Sequence, residues 1–118
     1  MISFPTANND AVPVLGLGID AGGTQTRWAL ATVDGVIVAE GVVEGLSALQ
    51  MSSDAGRAAV HATFARLCQA VLAVGQPRAV VAGLTGFGGD DAVLAQTLAT
   101  LLALDAAHVS VGNDIDIA

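Results

Sequence analysis

Between Ile19 and Arg27 the chain reads Ile-Asp-Ala-Gly-Gly-Thr-Gln-Thr-Arg, which places a carboxylate, an adjacent glycine pair and two hydroxyls in one short run. Adjacent glycines leave the backbone free of Cβ atoms, so peptide N–H groups can approach an anion closely. Thr24 and Thr26 add hydroxyl donors. Asp20 supplies a carboxylate of the kind that holds hydrated Mg²⁺, an ion that keeps most of its waters and takes only one or two carboxylates. The same letters also spell a plain hairpin, in which glycine supplies a positive φ and Asp20 bonds the turn backbone. From local chemistry the two readings are even.

Other runs carry weaker signals. Gly16-Leu17-Gly18-Ile19-Asp20-Ala21 satisfies the G-x-G-x-x-A dinucleotide pattern. That pattern needs a helix after its strand, and here a second strand follows. Gly83 to Gly89 is a glycine-rich turn after a short apolar run, which places Thr85 and Gly86 where a parallel strand ends, a frequent ligand position in open α/β sheets. Asp90 and Asp91 beside it repel phosphate, so a neutral ligand or a domain contact suits that turn better. Near the end, Asn113-Asp114 follows another short strand. An aspartate there serves either as a helix N-cap or as a proton acceptor. His61 and His108 have no second ligand at metal spacing, and the single cysteine, Cys68, can form neither an internal disulfide nor a CxxC site.

Composition narrows the field. The 118 residues include 4 Lys+Arg, all of them arginine, and 11 Asp+Glu, for a net charge of -7. Without lysine there is no P-loop lysine and no Schiff-base lysine in this stretch. An acidic chain repels phosphate backbones, which argues against nucleic acid. Hydrophobic residues make up 53% against 13% charged, which excludes a disordered chain. No apolar run approaches the roughly 20 residues of a membrane span. The opening MISFPTANNDAVP has neither a basic n-region nor a continuous apolar core, so it is not read as a secretory signal. A cytoplasmic, membrane-free domain is the expectation.

These residues need elements to hold them. Residues 1–13 read as a flexible leader broken by Pro5 and Pro13. Strands are predicted from Val14 to Ile19, from Thr26 to Val33 and from Val36 to Val43, the latter two joined through Asp34-Gly35, a strong hairpin signal. Trp28 and Leu30 share one face of the second strand. After a loop at Glu44–Ser53, the stripe Val60, Phe64, Leu67, Val71 and Val74 predicts a helix that starts at Asp54 and is stopped by Gly75 and Pro77. Ala79–Ala82 is a buried strand, Leu94, Leu98 and Leu101 mark a second helix, and Val109–Val111 is a last strand. The order β-β-β-α-β-α-β predicts an α/β fold, a mixed five-stranded sheet with helices packed on it. The run after the last strand reads as the opening of a further helix, as in the front part of a longer chain.

Taken together, Ile19–Arg27, the hairpin through Asp34-Gly35 and the late Asn113-Asp114 resemble the sugar kinase/Hsp70/actin superfamily. Within it, the chain is most similar to the BadF/BadG-type ATPase family that includes N-acetylglucosamine kinases. Asp20-Ala21-Gly22-Gly23-Thr24 resembles the family's first phosphate motif. Gly45-Leu46-Ser47 resembles its loop after the third strand, Ala82–Gly86 its fourth-strand exit, and Gly112-Asn113-Asp114 its catalytic-aspartate segment. The resemblance implies a ribonuclease-H-like (actin-like ATPase) subdomain over residues 14–118, the N-terminal part of a two-domain kinase that closes over ATP and an amino sugar. It implies that Asp20 assists Mg²⁺ through water, and that Gly22, Gly23, Thr24 and Gln25 line the ATP phosphates. Asp114 would be the catalytic base. Ser47, Thr85, Gly86, Asn113 and Asp114 would meet the sugar. The implied partners are ATP, a small-molecule sugar and the C-terminal domain of the same chain, with a homodimer compatible.

The sequence departs from the family where similar amino-sugar kinases carry an asparagine that touches the sugar; here Ala48 stands in Ser47-Ala48-Leu49-Gln50, with Ser47 or Gln50 as substitutes. The second phosphate motif and the adenosine segment do not occur in these residues, so turnover is expected of a longer chain and not of the isolated 118 residues. Two other functions fit the same elements. A BadF-type ATPase activating a redox partner would typically carry Gly-Ser-Thr at the turn and cysteines for an iron–sulfur cluster. A non-catalytic sugar-sensing module of the related ROK family would add a DNA-binding helix-turn-helix, for which the leader has no room.

Overall fold

The computed structural model describes residues 14–84 and 91–112. Strands β1 (Leu15–Ala21), β2 (Gln25–Thr32) and β3 (Ile37–Glu44) form an antiparallel meander. Helix α1 (Asp54–Leu72) then leads to β4 (Ala79–Leu84), and helix α2 (Asp91–Leu102) to β5 (Val109–Gly112). β4 pairs parallel with β1, and β5 parallel with β4, which gives one five-stranded sheet of order β3-β2-β1-β4-β5. The mixed βββαβαβ sheet expected from the sequence is the sheet observed.

Strand periodicity decides the faces. Leu15, Leu17, Ile19 and Ala21 of β1 are buried, as are Thr26, Trp28 and Leu30 of β2 and Val80, Ala82 and Leu84 of β4. They meet Val60, Phe64, Leu67 and Val71 of α1 and Leu94, Leu98 and Leu102 of α2 in one core. Trp28 lies across Gly41, its register partner on β3, where a Cβ would come within 2.7 Å of the indole Nε1. Cys68 belongs to the same core, and burial pushes its thiol up from 9.0 to about 11, so it is an inert buried thiol.

The hairpin and the helix ends refine the sequence reading. Asp34-Gly35 does turn the chain, as part of a three-residue loop in which Gly35 has φ 89° and its N–H donates to the Thr32 carbonyl at 2.9 Å. α1 is capped by Ser53, whose hydroxyl accepts from Gly56 N–H at 3.0 Å. It ends at Leu72, before Val74, which is therefore 51% exposed and not part of the buried stripe. Past Leu72 the Gly75 N–H still donates to the Val71 carbonyl at 3.0 Å, and Gly75 packs against β1, where a Cβ would sit 2.7 Å from Leu15 Cδ1. On α2 it is Leu102, fully buried, that completes the stripe, with the expected Leu101 only partly buried. No helix among the described residues is long and apolar enough to cross a membrane.

Candidate functional site

The parallel strands β1, β4 and β5 all run toward one edge of the sheet, and register aligns their ends. Asp20 lies opposite Gly83 of β4, and Gly83 opposite Gly112 of β5, so the three residues form one row. The glycine turn leaves β1 directly after this row. Thr85 and Gly86 follow β4, and Asn113 and Asp114 follow β5; these four lie outside the described residues, as do residues 1–13. Topology thus brings the strand exits that carry the expected ligand groups to a single edge.

Asp20 is exposed, on the face of β1 away from the helices. Its register partner across the hairpin is Arg27, yet the two form no ion pair. With the Gln25 amide oxygen turned toward it, the Arg27 guanidinium donates instead to Gln25, 2.8 Å from both Nε and a terminal nitrogen. Arg27 is thereby held along its own strand. Among the described residues the Asp20 carboxylate has no hydrogen-bond or salt-bridge partner. An exposed, unpaired carboxylate at a strand end suits a hydrated divalent cation. No cluster of three potential metal ligands occurs among the described residues, and a water-mediated Mg²⁺ requires none.

In the turn, the Gly22 N–H donates to the Gln25 carbonyl at 3.0 Å, whereas the amides of Gly23 and Thr24 have no backbone acceptor among the described residues. Gly23 and Thr24 are exposed. Neither glycine of the pair has a positive φ; among the described glycines Gly35 is the one that does. The plain-hairpin reading, with glycine chosen for φ, therefore fails at this turn. A Cβ on Gly22 would lie 3.3 Å from the Gln25 carbonyl, and one on Gly23 would meet nothing within 4 Å. Among the described residues nothing requires a glycine at 23.

Thr26 departs from the sequence reading. As the second residue of β2 it points toward the helices, is fully buried, and its hydroxyl has no hydrogen-bond partner among the described residues. Strand alternation removes it from the exposed side of the turn, so it is not an anion donor there.

The loop after β3 closes against this turn. Leu46, 4% exposed, donates its N–H to the Gly22 carbonyl at 2.9 Å. A Cβ on Gly45 would run into the Gly23 carbonyl and lie 2.8 Å from that of Gly22. The expected loop contains a 3-10 turn, Ala48–Ser52, capped by Ser47. The Ser47 hydroxyl accepts from Leu49 N–H at 3.2 Å, and Gln50 Oε1 accepts from Ser47 N–H at 2.7 Å. Ser47 and Gln50 thus use an acceptor each on the cap, which leaves a hydroxyl proton and an amide NH₂ to donate. The Gly45–Gly23 contact was missed from sequence; its one signal was a lone glycine straight after a strand.

No family model matches this sequence, and neither does any curated protein. Solved structures do. The chain is similar to the Ppx/GppA phosphatase of Aquifex aeolicus in its type II variant (TM-score 0.53, 10% identity), covering 86% of this chain. It is similar to a protein named as a candidate N-acetylglucosamine kinase from Chromobacterium violaceum (TM-score 0.50, 24% identity), covering 88%. A second Aquifex aeolicus structure, of the PPX-GPPA enzyme, matches at TM-score 0.52 and 14% identity over 85%. The chain spans 36% of the length of each of these three. These likenesses show the fold alone, the mixed five-stranded α/β sheet.

Proposed function

We propose that this chain is the N-terminal part of an ATP-dependent kinase that phosphorylates a hydroxyl of an amino sugar, N-acetylglucosamine or glucosamine. The observation that carries the reading is Gly23, an exposed glycine that neither φ nor packing among the described residues requires, beside Asp20, which has no partner among those residues. A glycine without an internal reason is explained by a ligand that approaches the backbone closely.

In this reading Asp20 would hold Mg²⁺ through water, and the amides of Gly23 and Thr24, which have no backbone acceptor among the described residues, would face the ATP phosphates. Gly22 contributes the absence of a side chain, since its N–H is already engaged. Gln25 borders the phosphates and fixes Arg27. Mg²⁺ supplies neutralisation of charge on the transferring group. Ser47 offers its hydroxyl proton to the sugar, and Thr85, Gly86 and Asn113 extend that contact. A sugar hydroxyl oxygen attacks the γ-phosphorus, the bond to the bridging oxygen breaks, and ADP leaves. The hydroxyl proton passes to Asp114. Because phosphoryl transfer asks for positioning and charge stabilisation, an ordinary carboxylate is adequate for that role. Closure of a second domain excludes water from the transfer.

A second reading, hydrolysis of a phosphate compound, is favoured by the fold shared with the Ppx/GppA phosphatase. One assay separates the two: ADP release by the complete polypeptide with Mg·ATP against a panel of hexoses and amino sugars. A strong rise with one amino sugar is expected. Release indifferent to every sugar would overturn the kinase reading and leave an ATPase or phosphatase.

A further inference from the structure

Leu46 is buried in the core, and its N–H donates to the Gly22 carbonyl at 2.9 Å. Gly45 lies against the next carbonyl too. A Cβ there would run into the Gly23 oxygen and sit 2.8 Å from the Gly22 oxygen. Two successive carbonyls of the glycine turn therefore face the loop after β3.

A peptide group is planar, and in its trans form the N–H points opposite to the C=O. No peptide bond among the described residues is cis. The Gly22 carbonyl shares its plane with the Gly23 N–H, and the Gly23 carbonyl shares its plane with the Thr24 N–H. With both oxygens turned toward Gly45 and Leu46, both N–H groups are turned away from them. These are the two amides of the turn with no backbone acceptor among the described residues, and both residues are exposed. Consecutive N–H groups on one side of a turn make a concave donor pair suited to an anion.

We infer that Gly45 and Leu46 are positioning residues for a polyphosphate, setting the direction of the Gly23 and Thr24 amides without touching the ligand. The inference rests on the reading that ATP phosphates meet this turn, and it is independent of which sugar is phosphorylated. The loop is held on both sides. Glu44 before it pairs with Arg66 of α1, and Ser47 after it is fixed in its cap by Gln50. Leu46 ties that frame to the core. The donors are thus aimed before a ligand arrives, which spares the cost of ordering them on binding. Because each peptide turns as a rigid plate, anything that swings the two carbonyls swings the two donors with them.

The test removes the anchoring N–H in the complete polypeptide. Leu46→Pro deletes that donor, whereas Leu46→Val keeps it and also shortens the buried side chain. Mg·ATP and AMP, which lacks the β- and γ-phosphates, are titrated calorimetrically against parent and variants. In Leu46→Pro the Mg·ATP affinity is expected to fall about tenfold or more, with AMP affinity within about twofold, because charge-assisted bonds from two amides are misdirected. Leu46→Val is expected to keep the parent's preference for Mg·ATP over AMP. Unchanged Mg·ATP affinity in Leu46→Pro overturns the inference and leaves the phosphate reading standing. A parallel loss of both nucleotides, or the same selective loss in Leu46→Val, also overturns it, by assigning Leu46 a general packing role. A parent that binds Mg·ATP no more tightly than AMP overturns the phosphate reading of the turn, and the inference with it. If Leu46→Pro does not fold, Gly45→Ala displaces the same two carbonyls and is judged by the same selective loss.

Discussion

The Leu46 amide donates to the Gly22 carbonyl at 2.9 Å, which ties the loop after β3 to the glycine turn between β1 and β2. Gly45 stands beside that bond with no room for a side chain, its nearest neighbours being the Gly22 and Gly23 carbonyls. Two loops far apart in sequence are therefore one backbone unit. Gly45→Ala forces a methyl group against rigid main chain, and destabilisation of about 1–3 kcal/mol is expected, as for other overpacked sites. Urea denaturation measures it. An unchanged midpoint would mean that the loop swings away freely.

Gly23→Ala separates binding from folding. A Cβ there meets nothing within 4 Å and the φ is not in the glycine-only region, so stability is expected to stay within about 0.5 kcal/mol of the parent. If phosphate approaches this backbone, Mg·ATP affinity of the complete polypeptide should nonetheless fall by about tenfold or more, the loss of a charge-assisted hydrogen bond or two. Calorimetric titration together with the denaturation midpoint reads both. Affinity unchanged alongside unchanged stability would remove the turn from the phosphate site.

Cys68 sets an alkaline limit. Its thiol is held protonated in the fold, with a pKa raised from 9.0 to about 11 by burial. Above pH 9 the unfolded chain loses that proton while the folded chain keeps it, so the unfolded state binds fewer protons and stability falls as pH rises. The contribution is whole below pH 9 and is lost toward about pH 11. Replacing the thiol by Cys68→Ala should flatten the denaturation midpoint across this window, at the cost of some packing. An identical slope in both proteins would place the alkaline transition elsewhere.

Much of this was legible from the chain. Alternation in Leu15–Ala21 and the apolar stripe on Val60–Val71 report burial directly, because one face of each element meets the core. Val74 misled because periodicity carries no length information, and the helix ends at Leu72, two residues before it. Thr26 was read as a ligand donor from its place in a motif, when its even position on β2 turns it inward. The place of Asp20 near a strand end, beside a glycine turn, was legible. The Arg27–Gln25 pairing that leaves Asp20 unpaired was not, since a choice between neighbouring partners depends on side-chain rotamers and not on spacing.

The kinase reading depends finally on Asp114. β5 ends at Gly112, in one row with Gly83 and Asp20, so Asp114 follows two residues after the row that holds the proposed Mg²⁺ carboxylate. A base acting only in transfer is dispensable for binding the nucleotide. In the complete polypeptide Asp114→Asn should lower sugar phosphorylation by about 10²–10⁴-fold, the usual contribution of a positioned proton acceptor, with the KM for Mg·ATP nearly unchanged. Asp20→Asn should differ in kind, raising the Mg²⁺ concentration needed for half-maximal rate because it removes an anchor for the ion's waters. Initial rates over a grid of Mg²⁺ and ATP distinguish the two signatures. An active, folded Asp114→Asn enzyme would make Asp114 a helix cap and place the base elsewhere.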